Sequence, residues 1–202
     1  MEILYSDKDI AVCVKPVGLD SEHEMPDALK NQLGGEIFPL HRLDKNVGGV
    51  MVYARTKAAA AKLSAAIAKG ELVKEYVAIV HGTPPESGDW EDLLFKDSRK
   101  NKVFVVKRQR SGVKAARLEY KRLTAGESAL VRIRLHTGRS HQIRVQFASR
   151  GMPLVGERKY AILDDECEIA LWSHKIGFYH PKTGRWMEFS KEPPAVYPWT
   201  AV

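Results

Sequence analysis

Cysteine is scarce: Cys13 and Cys167 are the only two in 202 residues, and they stand far apart. Two thiols leave room for one disulfide at most, and a reducing compartment suits so few. Cys13 lies in the apolar run IAVCVKP, where a buried, inert thiol is expected. Long hydrophobic runs are missing too. None approaches the roughly 20 residues of a membrane-spanning helix, and the opening MEILYSDKDI has no signal-peptide core. Internal repeats, low-complexity tracts, nucleotide-binding glycine loops and metal-ligand clusters are lacking as well. The expectation is a soluble cytoplasmic protein without a membrane partner. At this length it forms one large domain or two small ones.

Acids are fewer than bases, 25 against 32, for a formal net charge of +7. The imbalance is local. Residues Lys96 to Arg122 carry eleven Lys or Arg and two acids, a net of +9, so the remainder sums to −2. A basic surface gathered into one segment points to a polyanion, with RNA or DNA first. A solvated face without a partner is the bland alternative.

Strand-like runs recur at Ile10 to Lys15, Gly49 to Ala54, Val73 to Val80, Lys102 to Val106, Ala116 to Arg122, Ala129 to Leu135 and Glu168 to Trp172. Three helices interrupt them. The first opens at Pro26 and stops at Gly34 and Gly35. The second, TKAAAAKLSAAIAKG, is capped by Thr56 and ended by Gly70. The third, SHQIRVQFASRGMP, takes Ser140 as its cap. Many strands with few helices predict an α+β fold on a mixed, mostly antiparallel sheet, a single domain over residues 1–202. The basic segment falls on a hairpin or strand edge, and the Pro-rich tail 191–202 runs along the surface.

Three stretches hold chemistry-bearing residues. In FPLHRLDKNVGGVMVYA an acid, Asp44, sits just before a core strand, where it is costly unless paired or used. An extended chain there puts Arg42 and Asp44 on one side, His41 and Leu43 on the other. In LHTGRSHQIRVQFASRG, Arg139 and Arg144 stand at a helix start, where the macrodipole disfavours cations. A phosphate or a carboxylate from another segment would offset that. His136 and His141 lack a third ligand at zinc spacing. In VKEYVAIV, Lys74 and Tyr76 share a strand face. Taken singly, each has a structural reading: an ion pair, solvated arginines, a core aromatic.

In order along the chain, HRLDKNVGG (41–49), KEYVAIVHG (74–82) and LHTGRSHQIRVQFASRGMPLVGERKYA (135–161) resemble the RluA-type pseudouridine synthases. Weaker matches at ILYSDKDIAVCVKPVGL and LWSHKIGFYHPKTGRWMEFSKEPP extend the likeness from Ile3 to Pro194. The resemblance implies an isomerase that breaks the uridine N1–C1′ bond, turns the uracil and rejoins it through C5, with no cofactor and no metal. It assigns Asp44 as the catalytic aspartate, Arg144 as its pairing arginine and Tyr76 as the tyrosine against the target base. It implies RNA or base contacts from His41, Arg42, Leu135, Arg139, His141 and Gln142. Lys107, Arg108 and Arg110 are the expected backbone grip. The substrate class implied is tRNA or rRNA, and the expected state is a monomer with no obligate protein partner. Two departures stand out: Val47-Gly48-Gly49 where relatives read Thr-Ser-Gly, and GERKYA where they often read Gly-Asp-x-x-Tyr-Gly. The pattern begins almost at Met1, so no S4-type domain is expected.

Three rivals are weaker. A pure RNA binder or chaperone needs no paired carboxylate. A glycoside or nucleoside hydrolase usually needs two acids flanking the bond, and only Asp44 stands in a motif. No helix-turn-helix or zinc-finger spacing supports a DNA-binding module.

Overall fold

A computed structural model describes all residues except 162 and 164. The elements in chain order are β1 (Ile3–Ser6), β2 (Ile10–Lys15), α1 (Glu24–Leu33), β3 (Phe38–Pro39), β4 (Gly48–Ala54), α2 (Lys57–Ala68), β5 (Val73–His81), β6 (Ser87–Asp97), β7 (Lys102–Val106), β8 (Val113–Arg122), β9 (Ser128–Leu135), α3 (Gln142–Ala148), β10 (Leu171–Tyr179), β11 (Trp186–Ser190) and a short 3-10 turn at Trp199–Ala201. The chain is α+β, as its pattern of strands and few helices implies. It divides into two compact units, residues 1–75 with 172–193, and residues 76–171 with 194–202.

In the first unit the strand order is β1-β2-β4-β10, with β3 on β4 and β11 on β10. The sheet is mixed: β4 and β10 run parallel at Gly48–Trp172 and Gly49–Ser173, while β2 pairs antiparallel with β4. Every residue of β4 is buried. Its two glycines have a steric cause. A Cβ on Gly48 would overlap the Trp172 ring, and one on Gly49, at φ +123°, would overlap the Ser173 backbone. The glycine pair, of which Gly48 departs from the family pattern and Gly49 keeps it, therefore lets β4 and β10 approach. Ile10, Val12, Val50, Val52, Ile176 and Phe178 build one core face and take in Leu63 of α2. That helix forms because alanines favour it and Thr56 caps it, its hydroxyl accepting the Ala59 N–H at 3.1 Å.

In the second unit the order is β5-β9-β8-β6-β7. The basic segment lies on the end of β6, on β7, on β8 and on their connections, so the expected hairpin is there. α3 packs Val145 against Leu94, Val103 and Ala116 of that hairpin. The tail is exposed over Pro194 to Tyr197, then turns in at Trp199 against the cluster of Ile79, Val155 and Ala170.

Several expectations need correcting. The last strand expected, Glu168 to Trp172, begins at Leu171 and runs on to Tyr179, because β11 pairs along its far half. The eleven-residue β6 has no counterpart among the expected strands: its acids have low strand propensity, and it is held by β8 on one side and β7 on the other. The cap of α3 is His141, left-handed at φ 50°, and not Ser140. The stretch from His41 to Val47 lies outside the strands and turns at Asp44, whose carbonyl accepts the Val47 N–H at 2.9 Å.

Candidate active site

The Asp44 segment is tied on both sides. Upstream, the Ser21 hydroxyl donates to the Leu43 carbonyl at 2.9 Å and accepts the Leu43 N–H at 3.1 Å. Ser21 is itself held by the Tyr53 hydroxyl, which donates to the Ser21 carbonyl at 2.8 Å. Downstream, the Lys45 carbonyl accepts from the Gly18 N–H at 2.9 Å and from Lys15 Nζ at 3.1 Å. Lys15 is wholly buried and also donates to the Pro16 carbonyl. Burial pulls its ammonium down to about 8, against the opposing pull of Asp20, Asp44 and Glu24. A buried lysine aimed at carbonyls around an acid is a device for holding a turn.

His41 faces inward. Its Nε2 accepts the Val52 N–H at 3.3 Å, which leaves the proton on Nδ1, a buried atom with no partner among the described residues. The residue keeps some solvent contact at its edge, but both nitrogens lie inside. Burial, with Lys74 nearby, pushes the imidazole down to about 3, so it is neutral at physiological pH. Arg42 is exposed and lies 3.5 Å from Glu22.

In the second unit, Tyr76 is 6% exposed on β5. Leu135 ends β9, and the loop after it is clamped by Gln142. Gln142 Oε1 accepts from the Thr137 hydroxyl at 2.8 Å and the Arg139 N–H at 3.1 Å, and its Nε2 donates to the Arg117 carbonyl at 3.0 Å. His141 Nδ1 lies 2.6 Å from the Tyr160 hydroxyl, which also accepts the Val103 N–H. Arg139 is exposed, its Nε donating to the Ala115 carbonyl. Lys107, Arg108 and Arg110 sit on the exposed connection between β7 and β8, with Arg110 stacked over the Phe95 ring at 4.6 Å.

Arg144 is gripped by a residue not singled out in the sequence as a site residue. Its Nε and Nη2 each lie 2.7 Å from an oxygen of Glu157, whose side chain is fully buried. The same carboxylate accepts the Lys159 and Tyr160 N–H groups. Burial works against that charge, yet Arg144 and the two amides keep it below the usual glutamate range. The anion expected beside the α3 cations is thus, within this unit, a carboxylate from another segment. Glu157 lies in the GERKYA departure, which was the available signal.

One potential metal cluster exists among the described residues, Asp7, Asp9 and His180. Two of its three residues are already engaged: Asp7 Oδ1 accepts the Asp9 and Ile10 N–H groups, His180 Nδ1 accepts those of Lys182 and Thr183, and His180 Nε2 donates to Asp7 Oδ2 at 2.9 Å. This is a brace for a hairpin turn. Both cysteines are free, and burial raises the Cys13 thiol to about 12.

An α+β chain that pins an aspartate in a tight turn and carries a cationic hairpin has the parts of an enzyme acting on a nucleic acid. Residues 8–149 match the family model described as RNA pseudouridylate synthase, and the chain belongs to that family. An uncharacterized RNA pseudouridine synthase of Aquifex aeolicus (strain VF5) is 35% identical over 98% of this chain and 72% of its own length. The dual-specificity RNA pseudouridine synthase RluA of Salmonella typhimurium is 34% identical over 93% of this chain and 90% of its own. Human RNA pseudouridylate synthase domain containing 4 has the same fold, with a TM-score of 0.80 at 24% identity over 96% of this chain and 88% of that one.

Proposed function

We propose that this chain converts uridine to pseudouridine in structured tRNA or rRNA, with Asp44 as the catalytic aspartate. The supporting observation is the turn at Asp44, held from Ser21 on one side and from Lys15 on the other. Residues fixed in this way keep a reacting group in one geometry. In the reaction the N1–C1′ bond breaks, the uracil turns, C5 bonds to C1′, the C5 proton leaves and N1 gains one. Atoms balance, and no electron is transferred to or from an outside group. Arg144 serves as the catalytic arginine, and Tyr76 lies against the base and accepts the C5 proton. The uridine leaves its stack first, as any buried base must before its sugar can be reached. His41, Arg42, Leu135, Arg139, His141 and Gln142 line or shape the path of the RNA.

The enzyme works in the cytoplasm as a monomer, with RNA as its partner. No helix among the described residues is long and apolar enough to cross a membrane. The test is tritium release from C5-labelled uridine in separate tRNA and rRNA transcripts, for wild type and Asp44→Asn. Release by wild type alone supports the reading and names the RNA class. Equal release by Asp44→Asn removes the aspartate from the mechanism, and light scattering of the free protein checks the monomer.

A further inference from the structure

A cavity of about 170 Å³ opens between the cationic hairpin and the loop that leads into α3. Its floor is Leu94 and Val103, each 3% exposed, and its rim carries Lys96, Lys114 and Arg139. The strand register explains the gathering. Lys96 lies opposite Val103, and Leu94 opposite Lys114, so these four side chains share the face that α3 covers. Asp97, the nearest acid in sequence, alternates to the other face and caps the Arg99 and Lys100 N–H groups. No acid among the described residues lines the cavity.

Among the described residues, neither lysine has an ion-pair or hydrogen-bond partner, and Arg139 uses only Nε, on the Ala115 carbonyl. Three converging cations without a counter-charge repel one another, and an anion between them reverses that term. The cavity is far larger than the roughly 30 Å³ of one water. An apolar floor under a cationic rim suits a group that is charged on one side and hydrocarbon-like on the other. A sugar phosphate has that character.

We propose that this cavity is a subsite for one phosphodiester of the substrate RNA, its phosphate on Lys96, Lys114 and Arg139 and its ribose against Leu94 and Val103. The proposal rests on the RNA-modifying function given above. Arg139 is five residues before Arg144 on the same loop and helix, so the subsite grips a nucleotide flanking the reacting uridine. It is separate from Lys107, Arg108 and Arg110, which hang on the connection between β7 and β8.

The experiment is amine labelling of the full chain read by mass spectrometry, alone, with tRNA transcript, with rRNA transcript and with inorganic phosphate. Salt-titrated filter binding of the same transcripts to Lys96→Gln/Lys114→Gln accompanies it. The expected result is protection of Lys96 and Lys114 by a transcript and not by inorganic phosphate, with the log-log salt slope reduced by roughly 0.7–0.9 when the one phosphate is no longer neutralised. Lys62→Gln/Lys69→Gln on the α2 side, the same charge change, is expected to move the slope less. Equal protection by inorganic phosphate overturns the RNA assignment, and an unchanged slope overturns the subsite. Tritium release by wild type is read in parallel. Its absence strikes the enzymatic reading, while labelling still reports on the subsite by itself.

Discussion

Arg144 and Glu157 form a two-pronged ion pair, Nε and Nη2 each 2.7 Å from one carboxylate oxygen, with Glu157 fully buried. Two N–H groups of its own turn hold the carboxylate still, so the guanidinium plane is set by the segment from Glu157 to Tyr160. Such a fork fixes orientation as well as charge.

Glu157→Gln keeps the shape and removes the charge. It leaves Arg144, whose side chain is 12% exposed, beside a neutral amide, and removing one partner of a buried pair typically costs about 3–5 kcal/mol. Urea denaturation of this variant is expected to show a loss of that order; an unchanged midpoint would show that the pair carries no net stability. Catalytic rate is expected to fall more than RNA affinity, because binding cations elsewhere are untouched.

Asp44→Asn is expected to abolish tritium release and leave transcript binding within about twofold, since carboxylate and amide occupy the same turn and a shift of about twofold is under roughly 0.5 kcal/mol. Single-turnover assays at saturating enzyme separate the two effects. Binding that disappears along with activity would make the residue structural.

Tyr76→Phe keeps the ring and removes the hydroxyl. A general base typically contributes about 10²- to 10⁴-fold, so the rate is expected to drop by at least the lower figure with affinity retained. A rate equal to wild type would show that the hydroxyl is dispensable.

Lys15 links the turn to pH. Its folded value is about 8, against 10.5 for an ordinary lysine. Between these values the unfolded chain holds more protons than the folded one, so stability rises with pH through that window. The gain is at most about 3 kcal/mol by linkage. Denaturation midpoints from pH 7 to pH 10 are the check. Lys15→Met should lack the rise, and a rise of equal size in that variant would assign it to another group.

Neutralising Lys107, Arg108 and Arg110 together is expected to weaken transcript binding and lower the salt slope by roughly two, at about 0.7–0.9 for each phosphate that is no longer neutralised. Arg110 also leaves the Phe95 ring. Filter binding over a potassium chloride series reads both.

Elements whose information is local were legible from the residues alone. α2 runs from Lys57 to Ala68 under its Thr56 cap because alanine propensity and a capping hydroxyl act within one turn. β7 spans Lys102–Val106 as its β-branched pattern implies. The family and the aspartate's motif were legible for the same reason: HRLD and TGRSHQIR are contiguous strings.

Partners distant in sequence were not legible. β6 has acids at Asp89, Glu91 and Asp92, and reads as a strand only once β8 and β7 lie on either side of it. Ser140 reads as a cap because serine caps are common, but the chain places His141 there in a left-handed turn beside Tyr160. Ser21 clasping Leu43, Lys15 reaching the Lys45 carbonyl and Glu157 under Arg144 join residues 22, 30 and 13 positions apart. Propensity and periodicity act over a turn or a strand. Hydrogen bonds across loops depend on where the chain returns in space, so only the tertiary structure determined which side chains hold Asp44 and Arg144 in place.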